Sequence, residues 1–439
     1  MKFSRTLLAL AALLSCACLK TFAQTAAPAA ADDGKLLEQA AYQFPAYEEI
    51  QGWIKNYMTA EHYARIRNAP DLELLKIRYA SDGLRVAGFL YKPRRTDGRR
   101  LPVVIYNRGS IGPGSEIGPL NFNYLYEMHR LASEGFVVLA SQYRGYDGAG
   151  GRDEAAGADT NDVLNIVALA RSLPYADADR MFMWGFSRGG IMTFQAMRRG
   201  VALRAAAVVG APTDYFEFGR LPGRERFFRE RFPDYDRRKE EHLLNRSAIR
   251  WTEKINAPLL ILHGGADNLP PAQSLALAAK LGEQGKVYEL VVYAKDNHPT
   301  ALNFEDRVRR TVDWFKNPRT LPVSQQLRKV FAGGATAEAV VKHYRELRRT
   351  QSDRYDFSEP ELNTLGYELL GAGRVAEAVE IFRLNVEAFP EAFNTYDSLA
   401  EAYAARGEKE LAIKNYRRSL ELNPQNTNAA EKLKELGGK

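Results

Sequence analysis

The run Gly185-Phe186-Ser187-Arg188-Gly189-Gly190 has the spacing of a serine held in a turn too tight for side chains beside it. A serine hydroxyl attacks a carbonyl only with a base to take its proton and a carboxylate to orient that base. The chain has six histidines: His62, His129, His242, His263, His298 and His343. His298, in "DNHPT", and Asp267, in "HGGADNLPP", follow Ser187 in the order serine, acid, histidine, each on a stretch after an apolar run. The chemistry these residues would carry is acyl transfer. The backbone N–H of Arg188 would lie beneath the developing oxyanion. His263 lies inside a Gly-Gly turn and reads as a structural histidine. Asp296 is the second choice of acid, but it sits two residues from His298 on the same loop.

The elements needed to position these groups are legible on both sides of Ser187. "PVVIYN", "FVVLASQYR", "RMFMWG", "AAAVVGAP", "PLLILHG" and "VYELVVY" are short apolar runs. They alternate with helical patterns over 124–133, 160–172, 188–199, 271–284 and 304–316. That alternation predicts an α/β fold, a doubly wound and mostly parallel sheet covered on both faces. Sites in such sheets collect at the carboxyl ends of strands, where Ser187, Asp267 and His298 all fall. Ahead of this core, Ser81-Asp82-Gly83 between two extended runs predicts a β-hairpin, and residues 35–69 read as helical. The charged, aromatic stretch 213–256 interrupts the alternation and reads either as a lid over the site or as a solvated helical excursion.

Composition narrows the setting. Lys2 and Arg5, the apolar run from Leu7 and the small residues around Ala23 predict an export signal over 1–23, rather than a membrane anchor or a lipid-modified Cys16. Export to the periplasm or beyond is the expectation, with no integral membrane span after cleavage. Both cysteines, Cys16 and Cys18, lie in that segment, so the mature chain would carry no thiol chemistry. The net charge of +7 is not gathered into a basic stripe, and nucleic-acid binding is not expected. Leu365, Gly373, Ala378, Phe382 and Pro390 recur 34 residues on as Leu399, Gly407, Ala412, Tyr416 and Pro424, the tetratricopeptide pattern. The expected layout is a linker and helices over 24–69, a catalytic domain over 70–318, and an all-α domain over 319–439. That last domain would carry repeats at 359–392 and 393–426 and flanking helices over 326–350 and 427–436, and would serve packing, partner docking or self-association.

"GFSRGG", "HGGADNLPP", "DNHPT" and "RYASDGLRVAGFLYKP" together resemble the catalytic domain of the prolyl oligopeptidase family of serine peptidases, of the α/β-hydrolase fold, over residues 70 to 318. The resemblance implies Ser187 as nucleophile, Asp267 as orienting acid and His298 as general base. It further implies a second oxyanion donor from "YNRGSIGPG", with Asn107 donating through its amide, and a site-shaping or bracing role for Arg144 and Asp147. The stretch before the hairpin is too short for the family's substrate-filtering β-propeller, and Glu48-Glu49 reads as an exposed face. The expectation is therefore an exported serine hydrolase that needs no metal or cofactor. A peptide substrate is favoured, a small acyl ester is the alternative, and a non-catalytic repeat scaffold is the non-enzymatic rival.

Overall fold

The computed structural model describes residues 32–50, 55, 59–110, 122–298 and 300–437. The expected export segment with its two cysteines lies outside them, as do residues 111–114 of the implied oxyanion stretch.

Nine strands form one sheet: β1 (Leu36–Ala41), β2 (Leu72–Ser81), β3 (Leu84–Pro93), β4 (Leu101–Asn107), β5 (Val137–Ser141), β6 (Ala176–Phe186), β7 (Ala205–Val209), β8 (Leu259–Gly264) and β9 (Tyr288–Tyr293). Their spatial order is β1-β2-β3-β5-β4-β6-β7-β8-β9. From β4 to β9 the strands run parallel, and β1, β2 and β3 add an antiparallel edge. The apolar runs form strands because both of their faces are covered. Val103 and Ile105 of β4 pack with Ile166, Phe194 and Leu277 on one side. Val104 and Tyr106 pack with Leu125, Met128 and Val312 on the other. Helices Thr160–Ser172, Arg188–Arg198 and Ala272–Glu283 therefore cover one face, and Phe122–Ser133 and Phe304–Lys316 cover the other. The chain leaves β4 for β5 on one side and returns to β6 on the other, so the strand order reverses between β4 and β6. The crevice beyond the carboxyl ends of those two strands is where a ligand fits such a sheet.

The N-terminal expectation needs correction. Residues 36–41, read as helical, form strand β1 on the edge of β2. "LLEQAA" has helix-forming residues, but pairing with β2 overrides that local preference. A 3₁₀ turn at Tyr47–Glu49 and a helix at Ala60–Arg67 follow. The β2–β3 hairpin is as read, with consecutive positive φ at Asp82 (49°) and Gly83 (75°) closing its two-residue turn.

Between β7 and β8 the insertion forms helices Tyr215–Gly219, Arg224–Arg231 and Tyr235–Arg246. It is not a solvated excursion. Tyr215, Phe228, Phe232 and Tyr235 are buried in the same core as the sheet, and the Arg246 guanidinium lies 3.9 Å from the Phe232 ring centroid while bonding to the Ala155 and Glu154 carbonyls.

After residue 320 the chain is almost entirely helical. Helices Glu359–Gly371 and Val375–Ala388 are followed at the sequence period by Phe393–Ala405 and Lys409–Leu422. The stretch 326–350 belongs to two helices, Val323–Ala332 and Ala337–Thr350. Left-handed Gly334 (φ 83°) and the Thr336 cap on Ala339 separate them. This region buries its own apolar core, from Val323 to Leu433, separate from the two beside the sheet. No helix among the described residues is long and apolar enough to cross a membrane.

Candidate active site

Strand β6 ends at Phe186 and a helix begins at Arg188, so Ser187 alone makes the corner. Its backbone sits at φ 52°, ψ −119°, a strained conformation for a residue with a side chain. The surrounding backbone is packed so closely that only glycine fits. A Cβ on Gly189 would lie 1.9 Å from the Asn107 carbonyl oxygen, and one on Gly185 would lie 2.3 Å from the Gly189 carbonyl oxygen. The Ser187 N–H donates to the Val209 carbonyl (2.8 Å), and the Gly190 N–H donates to the Ser187 carbonyl (2.9 Å). The Arg188 N–H, first in the helix, donates to no protein group among the described residues. It is one of the first-turn donors that a helix leaves for another acceptor.

Asp267 lies on the loop after β8 and His298 on the loop after β9. His298 Nδ1 donates to Asp267 Oδ2 at 2.7 Å. A carboxylate only accepts, so Nε2 is left with its lone pair toward Ser187, whose Oγ lies 2.9 Å away and donates to it. Phe186 holds the imidazole from the side, with ring centroids 5.0 Å apart. Asp267 also accepts from the Leu269 N–H (2.8 Å), and His263 Nε2 stands 3.3 Å from its Oδ2. Burial alone would raise the Asp267 pKa, but the bonds from His263, His298 and Leu269 outweigh it and hold the carboxyl at about 2. Its charge is therefore permanent at neutral pH.

The two runner-up residues have other work. His263 is fully buried and donates to the Leu269 carbonyl (2.8 Å), while Ser274 Oγ donates to its Nδ1 (2.7 Å). Asp296 accepts from the N–H groups of Asn297, Leu302 and Asn303, which folds the loop that carries His298.

The Asn107 expectation is corrected. Its amide is fully buried and donates to Thr193 Oγ1 (3.0 Å) in the helix after Ser187, not into the cavity over the serine. Two residues along, the Gly109 N–H donates to the Tyr124 hydroxyl at 3.2 Å. Arg144 is a brace. It binds Asp162 and Asp82 (both 2.8 Å), tying the β2–β3 turn to the helix Thr160–Ser172. Asp147 pairs with Lys76 on β2 (2.9 Å). Glu48 is exposed, and Glu49 accepts from the Ala46 N–H at 2.8 Å.

Sequence reasoning assigned Arg188 only a backbone role and missed its side chain. The guanidinium is buried, bonded to Asp153 and Asp159 and stacked 4.4 Å from the Tyr143 ring centroid. Burial would lower its pKa, but the two carboxylates outweigh that and raise it. The signal was available, because both aspartates follow β5, at the carboxyl end of a parallel strand. Above Ser187 lies a cavity of about 330 Å³, walled by Phe186, Tyr215, Phe218, Phe227 and Leu269 and closed on one side by the insertion. Among the described residues no group of three or more His, Cys, Asp or Glu is placed to hold a metal ion.

Residues 121–319 match the Prolyl oligopeptidase family model. Over 250 residues the chain is 30% identical to "Uncharacterized peptidase YtmA" of Bacillus subtilis, which covers 56% of this chain and 94% of that protein. Over 233 residues it is 27% identical to dipeptidyl peptidase 8 of Homo sapiens, covering 50% of this chain and 25% of that protein. The Pyrococcus horikoshii acylaminoacyl peptidase superposes with a TM-score of 0.51 at 23% identity, over 59% of this chain and 44% of that one. At that identity the superposition speaks to the fold alone. The chain thus spans nearly all of one relative, but only a quarter of the dipeptidyl peptidase and under half of the acylaminoacyl peptidase.

Proposed function

The chain belongs to the prolyl oligopeptidase family, and on that premise we propose that it is an exported serine peptidase that cleaves small peptides through an acyl-enzyme on Ser187. The observation that carries this reading is the hydrogen-bonded line from Ser187 Oγ through His298 to Asp267, with the free Arg188 N–H at the same corner. Ser187 Oγ attacks the scissile carbonyl while His298 Nε2 takes its proton. Asp267 fixes the Nδ1–H tautomer and stabilises the imidazolium that forms. The carbonyl oxygen, now negative, accepts from the Arg188 N–H. His298 then protonates the leaving amine, the C–N bond breaks, and a water activated by the same imidazole hydrolyses the ester. No step calls for a metal or a cofactor.

Covalent labelling by a fluorophosphonate tests the reading. The unmutated protein is expected to label at one site and Ser187→Ala not at all. An unmutated protein that fails to label refutes the enzyme and favours the repeat scaffold. Short peptide amides and matched acyl esters then decide the bond. Turnover of esters alone replaces the peptidase by a carboxylesterase.

Two further parts of the proposal rest on sequence pattern. The charged and apolar run over 1–23 supports export to the periplasm or beyond. The five recurring positions from Leu365 to Pro424 support two tetratricopeptide repeats that dock a partner or a second copy.

A further inference from the structure

Hydrogen bonding around the Ser187 cavity leaves one charged group over. Of the ionised side chains on its wall, Arg188 is bonded to Asp153 and Asp159, and Asp267 to the two histidines. Arg224 lines the same cavity and is half-buried, and its guanidinium meets no carboxylate and no hydrogen-bond acceptor among the described residues. The guanidinium carbon lies 4.3 Å from the Phe218 ring centroid, and the Asp267 carboxylate acts on it only through space, without a hydrogen bond.

The local sequence does not explain this isolation. Every other arginine of the helix Arg224–Arg231 has a carboxylate: Arg226 pairs with Glu230 (2.8 Å), Arg229 with Asp236 (2.9 Å) and Arg231 with Asp153 (2.9 Å). Arg224 is also the first residue of that helix, at the positive end of its dipole, where a cation is disfavoured. Burial adds to the cost and lowers the pKa of the group. A half-buried guanidinium without a hydrogen-bond partner, in the wall of the cavity over Ser187, is a position kept against stability.

We propose that Arg224 receives a carboxylate of the substrate, which makes the preferred substrates short peptides or acyl-amino acids with a free carboxylate close to the scissile bond. This rests on the reading of Ser187 as a peptidase nucleophile. A planar guanidinium laid on the Phe218 ring presents its N–H edge to a carboxylate, and two parallel charge-assisted bonds follow. The aromatic wall of Phe186, Tyr215, Phe218 and Phe227 takes up an apolar side chain beside it. At about 330 Å³ the cavity is at the small end of the ~300–1,000 Å³ range of ligand sites, so the carboxylate must lie within a residue or two of the bond. It comes either from a peptide C-terminus or from an Asp or Glu side chain.

Binding to the Ser187→Ala protein tests this without turnover. Calorimetry would compare N-acetylphenylalanine with its amide, and N-acetylglutamic acid α-amide with N-acetylglutamine α-amide. The acid of one pair is expected to bind at least about tenfold tighter than its neutral partner. A preference in the first pair assigns the C-terminal carboxylate, and one in the second assigns the acidic side chain. Adding Arg224→Gln should bring that ratio to about one, and Arg224→Lys should keep part of it. Equal binding within both pairs overturns the proposal, as does an acid preference that survives Arg224→Gln. If Arg224→Gln fails to unfold cooperatively, the ratio in Arg224→Lys decides: one undiminished from the unmutated value overturns the proposal. Fluorophosphonate labelling of the unmutated protein reads the nucleophile separately. Labelling without an acid preference removes only the Arg224 assignment, and the reverse removes only the peptidase reading.

Discussion

Three side chains from three loops meet within two hydrogen bonds, and each can be tested at its own atom. Asp267→Asn keeps the shape but offers an amide where His298 Nδ1–H needs an acceptor, so the imidazole turns or flips its tautomer. We expect kcat to fall by about 10³–10⁴-fold with KM little changed, measured on a substrate that the unmutated, unlabelled protein turns over. The same residue carries a pH signature in stability. Its carboxyl is held at about 2 against about 3.9 in the unfolded chain, so the folded state binds the proton less tightly. The resulting stability, about 2 kcal/mol, is fully present above about pH 5 and is lost as pH falls through 4 toward 2. Denaturant unfolding from pH 6 to 2 should show this loss in the unmutated protein and lack it in Asp267→Asn. Parallel slopes for the two proteins would refute it. Ser187, Asp267 and His298 were legible because their order and their places after apolar strands are sequence properties. The Asn107 amide was not, because its direction is set by Thr193, 86 residues away on another element.

Elements, more than residues, keep Ser187 in place. Its strained corner survives because β4, β6 and the following helix leave no other path. The Asn107 carbonyl at the end of β4 would stand 1.9 Å from any Cβ at Gly189. Gly189→Ala must therefore push β4 and that helix apart. A cost of about 1–3 kcal/mol is expected, with loss of fluorophosphonate labelling even where the protein stays folded. Thermal unfolding and labelling on the same sample check both halves, and a variant that labels at the unmutated rate contradicts the account. Legibility at this scale follows locality. The parallel strands are continuous apolar runs and read correctly, whereas β1 takes its structure from β2, far along the chain, against the helical preference of its own residues. The insertion stayed ambiguous because most of its charges face outward while its aromatic residues enter the sheet's core, and composition alone does not separate the two.

For the whole molecule, the arrangement of cores is decisive. The two clusters beside the sheet share that sheet, while the C-terminal helices bury a third of their own. The bonds recorded between the two regions are polar and partly exposed. Arg204 reaches Asp353, whose side chain is 67% exposed, and Gln325 donates to the Gln284 carbonyl at 3.3 Å. Exposed pairs of this kind contribute at most about 1 kcal/mol each, too little to make two cores melt as one. Calorimetry of the full chain is therefore expected to show two transitions. Gly189→Ala supplies the assignment, since its strain is confined to the sheet. It should lower one transition by several degrees and leave the other in place. A single transition that shifts as a unit would mean that the helical region and the sheet fold cooperatively, and that region would then have to be counted as part of the scaffold that holds Ser187.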